Sequence, residues 1–190
     1  LKPWNPGISI SDPEDIPTVH ALALQGSTVY VGGWFTGIGG QSRNNLAALD
    51  AASGQATTWD PNASSGVSAL AIQGSSLFVG GGFAHVGGQE RLRLAAFDTG
   101  TGTLKDWNPG ADDAVTSLLA DGTRLYAGGA FSNIGGRPRT RIAAFDVATG
   151  AIDDWSPGAD GVVRTLAMSG PDIYLGGDFA SVGGLPRPRL

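Results

Sequence analysis

The chain has 190 residues, 41% of them hydrophobic, which is enough to bury a core of its own. A net charge of -5 gives no basic footprint for nucleic acid, and no apolar run approaches the roughly 20 residues of a membrane-spanning helix. The absence of cysteine excludes a disulfide scaffold and thiol chemistry.

From the N-terminus, LKPW (Leu1 to Trp4) matches LKDW at Leu104 to Trp107, so residues 1–7 are expected to form an outer strand. The chain begins at Leu1 without Met or a signal peptide, which reads as a mature fragment or an excised domain. Residues 8–18 follow as a polar, proline-containing loop insertion, with Asp12, Glu14 and Asp15 as a solvated acidic patch. From there a tandem repeat governs everything. VYVGGWFTGIGG begins at Val29, LFVGGGFAHVGG at Leu77, LYAGGAFSNIGG at Leu125 and IYLGGDFASVGG at Ile173, each 48 residues after the last. A period of that size points to solenoids, propellers or arrays. Trp59, Trp107 and Trp155 keep it, as do Asp50, Asp98 and Asp146, and Arg43, Arg91, Arg139 and Arg187. The repeats are 19–66, 67–114, 115–162 and an incomplete 163–190. Trp4 to Trp59 is 55 residues, seven beyond the period, and the loop insertion holds the excess. The 31 glycines and 11 prolines recur at fixed sites, which indicates turns in place of disorder.

Within one unit the periodicity is two. VSALAI (Val67 to Ile72), SLFVGG (Ser76 to Gly81), RLAAFD (Arg93 to Asp98) and TLKDW (Thr103 to Trp107) read as four short strands. QGS and DTGTG are the turns between them. In VSALAI strict alternation puts Val67, Ala69 and Ala71 on one face and Ser68, Leu70 and Ile72 on the other. Both faces are small or apolar, so each sheet is expected to be covered on both sides. Four-stranded antiparallel units stacked face to face make an all-β propeller, with about four blades in this chain and the first strand nearest the axis.

The double-glycine stretch is expected to plug the blade end, with glycines taking positive φ between Phe83 and its neighbours. A phosphate loop would open a helix, and none follows here. The aspartates of LDAASG, FDTGTG and FDVATG suit caps of their own hairpin turns, since the calcium-loop pattern is absent. Each repeated Trp is expected to pack between adjacent blades.

With these positions in view, the unit V-x-A-L-A-x-x-G-x-x-[LV]-Y-[VA]-G-G-x-F-x-x-[IV]-G-G-x-x-R-x-x-[LI]-A-A-[LF]-D resembles the delta-sixty repeat family of bacterial β-propellers. It is carried here by VHALALQGSTVYVGGWFTGIGGQSRNNLAALD and its copies, over nearly all of the chain outside 8–17. The resemblance implies a secreted or surface-attached bacterial repeat protein. A weaker likeness, AALDAASGQATTW, is to the tryptophan-docking motif of quinoprotein propellers, with Trp59 one residue later than that motif has it. It implies docking between blades and puts cofactor chemistry in doubt.

The catalytic search is negative. His20 and His85 occupy different repeat positions, and neither a metal-ligand cluster nor a G-x-S-x-G elbow occurs. No catalytic residue, metal or cofactor is therefore expected. Eight of the ten arginines lie just after the second double glycine. The periodic Arg43, Arg91, Arg139 and Arg187 are expected to brace each blade. The less regular Arg93, Arg137, Arg141 and Arg189 are the candidate ligand contacts, because the guanidinium fork suits carboxylate, sulfate or phosphate groups. The expected function is a non-enzymatic extracellular or cell-surface binding or scaffold module, for acidic glycans or protein partners. The alternative is the propeller fragment of a quinoprotein-like or glycan-active enzyme. Leu190 aligns with Ile142, so the fourth blade lacks its third strand within this sequence. The N-terminal strand can seal a four-bladed ring. The tightness of that ring favours a larger one instead, completed by further sequence or by self-association with a second copy.

Overall fold

The computed structural model describes residues 4–187, and no helix occurs among them. Four antiparallel sheets follow one another along the chain. Sheet one holds Thr18–Gln25, Thr28–Trp34 and Leu46–Asp50, sheet two Val67–Gln73, Ser76–Gly81 and Leu94–Asp98. Sheet three holds Val115–Ala120, Arg124–Gly129 and Ile142–Asp146, and sheet four only Val163–Ser169 and Asp172–Gly177. The second strand is central in the first three.

The expected fourth strand is reduced to a single bridge in each of the first three units: Leu49 with Ala56, Phe97 with Leu104, and Phe145 with Ile152. Its outer edge does not continue as a ladder. The carbonyls of Thr57 and Trp59, Lys105 and Asp153 accept hydrogen bonds from arginine side chains instead. The Trp residue then turns the chain toward the next sheet.

A β-bulge sits near the start of every first strand, between Val19 and Ala21, Val67 and Ala69, Val115 and Ser117, and Val163 and Thr165. One extra residue flips the facing of all that follows. The expected grouping of Val67 with Ala69 and Ala71 is thereby corrected. Across the bulge Val67 pairs with Gly81, Ala69 with Gly80 and Leu70 with Val79. Val67 therefore shares a face with Leu70 and Ile72, and this face packs with Leu77 and Val79 against Tyr30, Leu46 and Ala48 of sheet one. Ala71, Phe78, Leu94 and Ala96 form the opposite face, packed on Val115, Leu125 and Ala127 of sheet three. Tyr126, Ile142 and Ala144 meet Val163 and Leu166 in the same way. Each junction thus joins a forward face that carries one second-strand ring (Tyr30, Phe78 or Tyr126) to a backward face of aliphatic residues, with a third-strand phenylalanine added in sheets two and three. First strands of neighbouring sheets lie side by side: Gln25 Nε2 donates to Gly74 O (3.0 Å), and Thr116 Oγ1 to Val163 O (2.6 Å).

The two double glycines do different jobs. In each unit the second pair forms the turn of a short hairpin, as in Gly37–Ile38 with Gln41–Ser42, where Gly39 and Gly40 have φ of 62° and 78°. Two positive φ values are what a type I′ hairpin requires. The first pair provides close approach. A β-carbon on Gly80 would lie 2.8 Å from Val115 Cγ1, and one on Gly128 2.7 Å from Val163 Cγ1. The loop insertion is also more ordered than a free loop. Ile8–Ser9 pairs with Gly37–Ile38, and Pro6 O accepts from Gly39 N at 2.7 Å. The part of the insertion next to the hairpin is recruited because Gly37–Ile38 offers it a free edge.

The series is open at both ends. Val19, Leu22 and Leu24 of sheet one are exposed, as is Tyr174 of sheet four.

Gly80→Val should force the two middle sheets apart. We expect a loss of about 1–3 kcal/mol, typical of overpacking, read as a lower midpoint in denaturant unfolding. An unchanged midpoint would contradict the close-approach role.

Candidate functional site

Three devices recur from unit to unit, and the remaining side chains at the unit ends are what is left for binding. The first device is the Trp. Trp59 stands edge-on to Tyr30 of its own unit (5.6 Å, 89°) and to Phe97 of the next (5.1 Å, 88°). Its indole Nε1 donates to Gly102 O at 2.8 Å. Trp107 repeats this with Phe78, Phe145 and Gly150 O. Trp155 meets Tyr126 (5.4 Å, 79°). The indole N–H satisfies a turn carbonyl while the ring fills the gap between sheets.

The second device is the aspartate turn. Asp50 Oδ1 accepts from Ser53 N (2.8 Å) and Ser53 Oγ (2.7 Å), Asp98 Oδ1 from Thr101 N (2.9 Å), and Asp146 Oδ1 from Thr149 N and Oγ1 (both 2.7 Å). These bonds favour the carboxylate, so all three pKa values lie below the ordinary range. A related clamp was missed at the sequence level. Asp112 Oδ1 accepts from Ser132 N and Asn133 N of the next unit, and Asp160 Oδ1 from Ala180 N and Ser181 N. Ser64 Oγ does the same for Ala84 N and His85 N. The backbone donors lower both aspartate pKa values. The 48-residue spacing of Ser64, Asp112 and Asp160 carried that signal.

The third device is the periodic arginine. Arg43 donates from Nε to Trp59 O (3.1 Å) and from Nη2 to Thr57 O (2.6 Å). Arg91, itself buried, reaches Lys105 O (3.2 Å), and Arg139 reaches Asp153 O (2.9 Å). The Arg187 guanidinium bonds Pro186 O among the described residues.

The less regular arginines differ from one another. Arg93 and Arg141 hold left-handed backbone, φ 64° and 68°, at the position where unit one has Asn45 with φ 62°. Asn45 uses its side chain locally, accepting from Phe35 N and donating to Ala63 O. Arg141 Nη1 donates to Ala130 O. Arg137 is paired with the exposed Asp154 at 2.7 Å. Among the described residues the Arg93 guanidinium makes no hydrogen bond or ion pair. Arg189 lies outside the described residues.

Nothing assembles around the histidines. His20 lies on the exposed bulge of sheet one, 2.9 Å from Thr18 Oγ1, and His85 on an exposed hairpin. Among the described residues no group of three His, Cys, Asp or Glu is placed to hold a metal ion. The exposed pair Arg164 and Asp178 interacts within sheet four.

Because the aspartate pKa values are depressed on folding, their contribution to stability is present above the unfolded value of about 3.9. It is lost as pH falls through the folded values. The melting temperature should therefore drop steeply below about pH 4. Asp98→Asn should lower it at neutral pH, with the gap to the parent chain narrowing in acid. A gap independent of pH would refute the turn assignment.

Comparisons with known proteins follow this geometry. Residues 28–54 match a family model described as a domain of unknown function (DUF5122) beta-propeller. No curated protein matches the chain. Among solved structures, the computationally designed Ika4 protein superposes with a TM-score of 0.61 at 18% identity, covering 92% of each chain. The WD40 repeats of RRP9 superpose with a TM-score of 0.60 at 17% identity, over 91% of this chain and 50% of that one. The extracellular domain of the one-component system BT4673 of B. thetaiotaomicron gives 0.57 at 20% identity, over 90% of this chain and 21% of that one. The chain thus spans about half of the RRP9 structure and about a fifth of the other. These likenesses concern architecture: the chain is an all-β protein with a β-propeller-like fold.

Proposed function

We propose that this chain is a non-enzymatic binding or scaffold module of the delta-sixty-repeat type, acting outside a bacterial cell or on its surface. Each complete unit is a four-stranded blade whose outermost strand has shrunk to one bridge. The observation that carries the reading is the division among the arginines. Arg43, Arg91 and Arg139 each donate to backbone carbonyls of their own units. Arg93 makes no such bond, and Arg137 is held only by the exposed Asp154. Arg93 follows the double-glycine hairpin of its unit and Arg137 lies on the second strand of that hairpin in the next, so both belong to the same end of neighbouring sheets. Guanidinium groups there suit the carboxylates or sulfates of an acidic glycan, or acidic side chains of a protein partner. The match to the DUF5122 propeller model and the likeness to the extracellular domain of BT4673 support this reading.

An acidic polysaccharide immobilised on a column tests it at low ionic strength, where such contacts are least screened. The double variant Arg93→Ala, Arg137→Ala should elute earlier with an unchanged melting temperature. Arg91→Ala should lower the melting temperature instead. Equal retention of the double variant and the parent chain would overturn the glycan assignment.

A further inference from the structure

We propose that unit one carries a binding site for a neutral saccharide, with Trp34 as the stacking surface and Asn44, Asn62, Asp12 and Asp15 as partners for its hydroxyls. A hollow of about 270 Å³ lies between the insertion, the end of Thr28–Trp34 and the connection at 62–64. It is lined by the residues at which unit one departs from the repeat. Trp34 stands where the later units have Gly82, Ala130 and Asp178, and Asn44 where the next two have Leu92 and Thr140. Asn62 replaces Gly110 and Gly158 yet keeps their left-handed backbone, with φ of 50° against 64° and 67°. Asparagine is one of the few residues with a side chain that visits that region. The seven-residue excess of the insertion brings Asp12 and Asp15 to the same hollow. Drift alone gives no reason for these departures to meet in one place.

The indole is positioned but left open. Trp34 is 39% exposed, and its ring rests against the backbone of Gly66, where an added β-carbon would touch Cε3 at 3.5 Å. Units two and three have Ala114 and Val162 at that place, without a ring to accommodate. The face of an indole is electron-rich, so it attracts the polarised C–H bonds that a pyranose gathers on the flat of its ring. A chain of β-linked glucose has all its ring hydroxyls equatorial and presents such C–H bonds on both faces.

The polar groups around the ring decide the class of ligand. Asn44 Nδ2 donates to Asn62 Oδ1 at 2.8 Å, which leaves Asn44 Oδ1 to accept and Asn62 Nδ2 to donate. Asp12 Oδ1 accepts from Glu14 N at 3.0 Å. Its Oδ2, the Asp15 carboxylate and the Trp34 indole N–H make no hydrogen bond among the described residues. The hollow therefore offers donors and acceptors together. A hydroxyl both donates and accepts, so a row of hydroxyls uses the whole set. An anion would meet two carboxylates with no Lys or Arg in the lining, and a cation would leave the donors unused. The volume is close to the lower end of ligand pockets, about 300 Å³, which suits a short stretch of a saccharide chain. This site draws on none of the arginines assigned to acidic glycans above.

Isothermal calorimetry of the whole chain with cellotetraose tests this. Saturable binding is expected, and Trp34→Ala, which copies unit three, should abolish it. Asn62→Gly copies units two and three and should weaken binding about three- to tenfold, the loss of one hydrogen bond. Both side chains are exposed, and glycine suits the positive φ at position 62, so thermal melts should match the parent chain. If Trp34→Ala melts early, Asn62→Gly carries the test. The double variant Arg93→Ala, Arg137→Ala should bind cellotetraose as the parent does, which separates this site from the acidic-glycan reading. No saturable binding by the parent chain would overturn the proposal, as would full binding by both unit-one variants or its loss in the arginine variant. Binding of the amine-bearing glucosamine tetramer in place of cellotetraose would assign the hollow to a cationic ligand and overturn it equally.

Discussion

One valine per unit, pressed against a backbone that has no side chain, sets the spacing of the whole series. Val115 reaches Gly80 so closely that even a methyl group would collide, and van der Waals packing at that distance tolerates little variation. The sheets must therefore stack at one fixed separation. The larger side chains then fill what that separation leaves: Phe78 forward, Leu77 and Val79 backward, and a Trp across the outer gap. The bulge is the necessary companion of this contact. Without the extra residue, Val67 would share a face with Ala69 and Ala71, and the aliphatic side chains would be divided between the two faces.

Polar devices hold the periphery where apolar packing thins out. The buried Arg91 satisfies a carbonyl that a longer fourth strand would otherwise pair, and the aspartate turns restrain the hairpins on which each Trp docks. A buried guanidinium with several carbonyl partners is bound by directional bonds that few other side chains supply. These arginines and aspartates recur with the same period as the core, and they perform the same service in the first three units.

Much of this was legible in the sequence. The period, the strands of VSALAI and SLFVGG, the Trp docking and the aspartate turns follow from composition and spacing alone. The bulge was not legible, because Val67 to Ala71 satisfies strict alternation equally well on paper and only the pairing with Gly80 and Gly81 reveals the slip. The shortened fourth strand was hidden for a related reason: TLKDW has strand-like residues, but its carbonyls are claimed by an arginine 14 positions earlier in the chain. At the candidate site, the difference between Arg93 and Arg141 depends on where two flexible side chains reach. Repeat position cannot distinguish them.

Because the same glycine–valine junction recurs between successive sheets at a 48-residue spacing, one repeat length carries both halves of the contact. An in-frame duplication or loss of one such length joins a familiar forward face to a familiar backward face and creates no new surface to be solved. Unequal recombination between repeats would then change the size of the array while leaving each neighbouring pair as it was. Nearest-neighbour architecture of this kind makes length the easiest property for a lineage to alter, and it leaves individual end residues such as Arg93 free to diverge one unit at a time.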